Sequence, residues 1–87
     1  MTVKLTNCIQ GEFDIVTNKI SVLGKVKHHK ETANMFGKLL GFTEYEEWYF
    51  TILIDGVEFT FEYETKSAAI IEHGLIETAL YKEKHND

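Results

Sequence analysis

Proline and arginine are both absent from these 87 residues, and cysteine occurs once, at Cys8. Without arginine the chain lacks the planar, two-pronged donor that reads phosphates, guanines and carboxylates. Its nine basic residues are all lysines, which act as point charges. Direct nucleic-acid binding is therefore disfavoured, although Lys25-Val26-Lys27-His28-His29-Lys30 forms one short basic run. A lone cysteine cannot close an internal disulfide, which argues against a stapled secreted scaffold. No apolar run approaches the roughly eighteen residues of a membrane span, and the N-terminal stretch lacks the apolar core of a secretion signal. A cytoplasmic protein without a membrane segment is expected. Serine occurs only as Ser21 and Ser67, with no glycine-rich phosphate loop and no G-x-S-x-G elbow. His28, His29, His73 and His85 fall at no paired metal-ligand spacing, so no metal or cofactor is expected.

What the chain does contain is apolar residues, at 44%, and aromatics, at 13%, enough for one modest core and a single compact domain over residues 1–87. Charge is unevenly placed. Residues 1–43 carry a net +3, residues 44–65 a net −7 without a single lysine, and residues 66–87 a net −1, for −5 in all. A polarised surface follows.

Residues 48–64 alternate strictly on both sides of Asp55-Gly56, a pair suited to a type I′ loop because both positions need positive φ. Folding there sets Ile54 against Val57, Ile52 against Phe59, Phe50 against Phe61 and Trp48 against Tyr63 on one face. The other face pairs Leu53 with Glu58, Thr51 with Thr60, Tyr49 with Glu62 and Glu47 with Glu64. One side is aromatic and must be covered; the other is acidic and wet.

Elsewhere, weaker alternation predicts strands over 3–9, 12–17 and 20–27, with Asn18-Lys19 as a turn and Gly24 as a bulge or bend. From His28 to Leu40 the period becomes helical, with Ala33, Phe36, Leu39 and Leu40 on one stripe, Gly37 inside it and Gly41 as the cap. A second helix is predicted over about 67–83, started by Thr65 or Ser67, with Ala68, Ile71, Leu75, Ile76, Ala79 and Leu80 facing the core. The expected architecture is α+β: a small antiparallel sheet in β-β-β-α-β-β-α order with two helices on one face.

Three functional readings follow. In the first, the chain is a non-enzymatic binding module, an accessory or inhibitor protein of the phage or plasmid kind. Its acidic, tyrosine-bearing face, made by Glu44, Glu46, Glu47, Tyr49, Glu58, Glu62 and Glu64, docks on a basic protein surface. If that surface normally holds nucleic acid, the carboxylates stand in for phosphates. The bland counterpart is a solvated face that keeps the chain soluble. In the second, a pocket between the last helix and the sheet holds a small ligand or does acid–base work with Glu72, His73 and Tyr81. In the third, the chain is a homo-oligomer joined through Ile70, Gly74 and Tyr81, through its oppositely charged faces, or by edge pairing of the first strand.

Overall fold

The computed structural model describes residues 1–32 and 44–85. The chain runs β1 (Thr2–Leu5), β2 (Phe13–Val16), a 3-10 turn (Thr17–Lys19), β3 (Ile20–Leu23), β4 (Lys27–Thr32), β5 (Glu44–Ile54), β6 (Val57–Tyr63) and α1 (Lys66–His85). The strands form two antiparallel sheets. One is β1 with β2; in the other, β5 pairs with β6 along one edge and with β3 and β4 along the other.

The β5–β6 hairpin has the register that its alternation predicts, from Ile54 opposite Val57 to Trp48 opposite Tyr63. Asp55 (φ 50°) and Gly56 (φ 79°) both lie in the left-handed region that a type I′ loop requires. On the inner face Phe50, Ile52 and Tyr63 are wholly buried and Phe61 nearly so.

Among the described residues the two-helix, one-sheet arrangement is not found. His28 to Thr32, expected to open the first helix, form β4 and pair with the first half of β5, from Lys27 opposite Tyr49 to Thr32 opposite Glu44. The helical stripe rested on Ala33, Phe36, Leu39 and Leu40, which lie outside the described residues, as do Gly37 and Gly41. Residues 28–32 carry no apolar stripe of their own. β5 begins at Glu44, before the expected hairpin, and so extends past Tyr63, where β6 ends. β4 satisfies the backbone groups of that overhang. Among the described residues there is one α-helix, and it follows all six strands.

The expected third strand divides at Gly24, giving β3 and β4 in succession along β5. The Gly24 N–H donates to the Thr51 carbonyl at 2.8 Å, and a Cβ at Gly24 would stand 2.8 Å from that oxygen. Only glycine allows so close a backbone approach. The β1–β2 pair is a separate layer on the inner face, where Phe13 meets Phe59 and Phe61 with ring centroids 5.8 and 5.1 Å apart. At the end of β6 its outer edge meets the segment that follows β1, where the Ile9 N–H donates to the Glu62 carbonyl at 2.7 Å.

α1 covers the rest of the inner face. Thr65 Oγ1 accepts the Ala68 N–H at 3.2 Å, the capping expected of it. The buried positions are Ala69, Glu72, Ile76 and Ala79. Ile71 and Leu75, expected in the core, are instead 61% and 48% exposed. Polar side chains account for this rotation. Glu72 turns inward and accepts the Thr6 N–H at 2.8 Å and the Asn7 N–H at 3.2 Å. His73 Nε2 donates to the Gly24 carbonyl at 2.8 Å and its ring meets Phe50 edge-on. At the far end Glu83 holds the Met1 amine at 2.8 Å and also accepts the Thr17 hydroxyl.

Candidate functional site

Strand alternation divides β5 between two faces. Trp48, Phe50 and Ile52 turn inward. Glu47, Tyr49, Thr51 and Leu53 turn outward, beside Glu58, Thr60 and Glu62 of β6 and across from Lys27, His29 and Val22. On this outer face Glu58 and Thr60 are exposed, and Glu47, Tyr49, Thr51, Leu53 and Glu62 are partly so.

The seven predicted contact residues do not share one surface. Glu46 has the parity of Trp48 and lies on the inner side of the ribbon. There the His28 ring stacks on Trp48, with centroids 4.8 Å apart, and its Nε2 meets Glu46 Oε1 at 2.6 Å. The chain's own basic segment thus takes up one of the predicted carboxylates. Glu44 opens β5 opposite Thr32, and its side chain lies outside the described residues. Glu64 follows the end of β6 and is exposed in a cleft with Thr6, Asn7 and Thr65, by the start of α1. It does not face Glu47 in the ladder, because β6 stops one residue earlier. The outer face keeps Glu47, Tyr49, Glu58 and Glu62.

Glu47 and Glu62 come together there, diagonal neighbours across β5 and β6. A hydrogen bond that protonated Glu62 donates to the Glu47 carboxylate, then partial burial and the Glu47 charge, raise Glu62 above the ordinary glutamate range. Gln10 and His29 oppose the shift. Gln10 Nε2 donates to Glu62 Oε1 at 3.1 Å, while the Glu62 N–H donates back to Gln10 Oε1 at 3.2 Å. The pair borders a shallow depression of about 260 Å³ shared with His29, Tyr49 and Thr60. Gln10 and His29 were not predicted members of this surface. Gln10 arrives through a long-range loop contact that no local pattern reveals, and His29 becomes legible only once its segment is read as strand.

The second constellation, Glu72 with His73 and Tyr81, is not assembled into a site. Glu72 and His73 bond different backbone segments, as described, and Tyr81 is exposed and packs on His85. Near Glu72 lie two further buried groups. The Cys8 thiol donates to the Gly11 carbonyl at 2.6 Å, and burial, followed by Glu72, pushes its ionisation up. The Tyr63 hydroxyl approaches Glu72 without satisfying hydrogen-bond geometry; burial, followed by that carboxyl, pushes it far above the ordinary tyrosine range. Neither is poised as a nucleophile, since each is held in its protonated form. Among the described residues no cluster of three His, Cys, Asp or Glu side chains is placed to hold a metal ion. No described helix is long and apolar enough to cross a membrane. Of the predicted oligomer contacts, Ile70 and Tyr81 are exposed, and Gly74 lies on the same side of α1 as Ile70. Neither a protein-family model, nor a curated protein, nor a solved structure matches the chain.

Proposed function

We propose that this chain is a non-catalytic protein-binding module of the cytoplasm, an accessory or inhibitor protein that docks the outer face of β5 and β6 on a basic protein surface. The contact residues are Glu47, Tyr49, Glu58 and Glu62, reduced from the seven expected. One observation carries the reading. Glu47 and Glu62 are two carboxyls brought together on the partly exposed outer face of β5 and β6, where like charge opposes folding. A cationic partner would relieve that repulsion on binding, and Tyr49 between the carboxyls supplies the aromatic contact area favoured at interfaces.

The test is capture of partners from a lysate with the parent chain and with Glu58→Lys/Glu62→Lys. The double variant should lose the partners of the parent, and parent binding should weaken as salt is raised. Retention of every partner by the variant would reject the reading.

A further inference from the structure

β1 has one edge bonded to β2 and another turned toward α1. The Thr17 N–H donates to the Met1 carbonyl, which makes Met1 and Thr17 a hydrogen-bonded antiparallel pair. Bonding alternates along such a ladder, so Val3 and Leu5 point their backbone groups at β2 while Thr2, Lys4 and Thr6 point theirs away. The Thr6 N–H, directed away from β2, ends on Glu72 of α1, which establishes that this second edge faces the helix. Glu83 holds the Met1 end. Eleven helical steps from Glu72 to Glu83 span about 16 Å. Five extended steps from Met1 to Thr6 span about 17 Å. Strand and helix therefore run side by side, clamped at both ends.

Between the clamps lies an open groove of about 530 Å³. Residues 1–4 line it consecutively, as a strand's edge does; a strand's face would contribute every second residue. The opposite wall is α1, through Ile70, Ile71, Gly74 and Leu75. A Cβ at Gly74 would meet nothing within 4 Å, so the wall is recessed there. The groove thus offers unpaired backbone donors and acceptors on Thr2 and Lys4 opposite an aliphatic wall. That is the geometry of strand addition.

We propose that this groove binds an extended segment of another protein in which aliphatic residues alternate with acidic ones. The segment pairs with β1, its aliphatic side chains lie on Ile71 and Leu75, and its carboxylates, on the opposite face, lie toward Lys4, with Lys82 adding positive charge at the end of the groove. The charged side chains lining the groove are these two lysines, with no carboxylate among them, and the Met1 amine at the same groove is already held by Glu83. The bridge from Lys4 to Glu12, at 3.2 Å between exposed side chains, is too weak to withhold Lys4 from an incoming acid. The same charges disfavour a second copy of this chain as occupant, because antiparallel pairing of β1 with itself would gather both pairs of lysines around one axis. This surface is separate from the acidic outer face, so either proposal can fail alone.

The experiment titrates the isotopically labelled full chain with three capped heptapeptides: alternating Val and Glu, alternating Val and Lys, and the Val/Glu sequence N-methylated on alternate amides. The Val/Glu peptide should shift the amide signals of Thr2, Lys4 and Gly74 and bind at least about tenfold more tightly than Val/Lys. N-methylation of the amides facing β1 should abolish binding. Gly74→Leu, which fills the recess while leaving the core untouched, should also abolish it with the circular dichroism spectrum unchanged. Absence of shifts up to about 1 mM Val/Glu peptide, equal affinity for Val/Lys, or binding that survives in Gly74→Leu would each overturn the proposal. So would a peptide-free dimer, seen by light scattering and dissolved by Ile71→Lys, which would make the second copy the occupant.

Discussion

Ile76 and Ile71 lie five positions apart on α1, one wholly buried and the other 61% exposed. The flank bearing Ile76 also buries Ala69, Ala79 and a carboxyl group, Glu72, while the flank bearing Ile71 leaves Ile70 and Leu75 outside. Apart from Ile76, small and polar residues thus occupy the buried side of the helix, and branched aliphatics part of its outside. Where the inner layer is already filled by aromatic rings from β5 and β6, the helix needs little bulk there. It contributes slender residues for close approach and two polar anchors for loops that would otherwise leave backbone groups unpaired. The helix orientation follows those anchors more than its aliphatic content.

The sharpest way to break this contrast is to truncate the two isoleucines separately. Ile76→Ala should cost about 3–4 kcal/mol in urea unfolding, and Ile71→Ala should stay within about 0.5 kcal/mol. Similar costs would show that both flanks are core. The anchor comes next. Glu72→Ala strands the N–H groups of Thr6 and Asn7 and should destabilise by about 2–3 kcal/mol, with early loss of amide exchange protection at those two residues. An effect no larger than that of exposed Glu77→Ala would remove the anchoring role. The glycines should then move in opposite directions. Gly24→Ala forces a methyl against the Thr51 carbonyl and should cost about 2 kcal/mol. Gly74→Ala adds one in open space and should raise the melting temperature, gaining up to about 1 kcal/mol of helix propensity.

The smallest expected effect concerns the outer face. Glu62 titrates above its ordinary value of 4.5 because of Glu47. A carboxyl whose pKa is raised by folding adds stability below its unfolded pKa, and that contribution is lost as pH rises through the folded value. Glu62→Gln should therefore be more stable than the parent at neutral pH by a few tenths of a kcal/mol, with the advantage shrinking as pH falls toward 4.5. An advantage independent of pH would sever the effect from the Glu47 pair.

The hairpin was legible because three local signals agree there: period-two alternation, β-branched and aromatic residues, and a loop pair that tolerates positive φ. The start of α1 was legible for the same reason, with Thr65 capping as its position suggests. Residues 28–32 were not, because their strand pairing depends on the overhang of β5, a partner distant in sequence. Nor was the facing of α1, since a wheel that ranks residues by apolarity cannot know that Glu72 and His73 have backbone partners waiting inside. The candidate surface divided along the same line. Tyr49, Glu58 and Glu62 follow from hairpin register, while the loss of Glu46 to His28 required knowing where β4 lies.

The order of residues alone settles the Asp55-Gly56 corner, the register beside it and the separation of aromatic from acidic side chains, because neighbours along the chain enforce all three. Which strand lies against the first half of β5, and which side of α1 faces inward, are decided only when distant backbone groups compete for the same few buried hydrogen bonds.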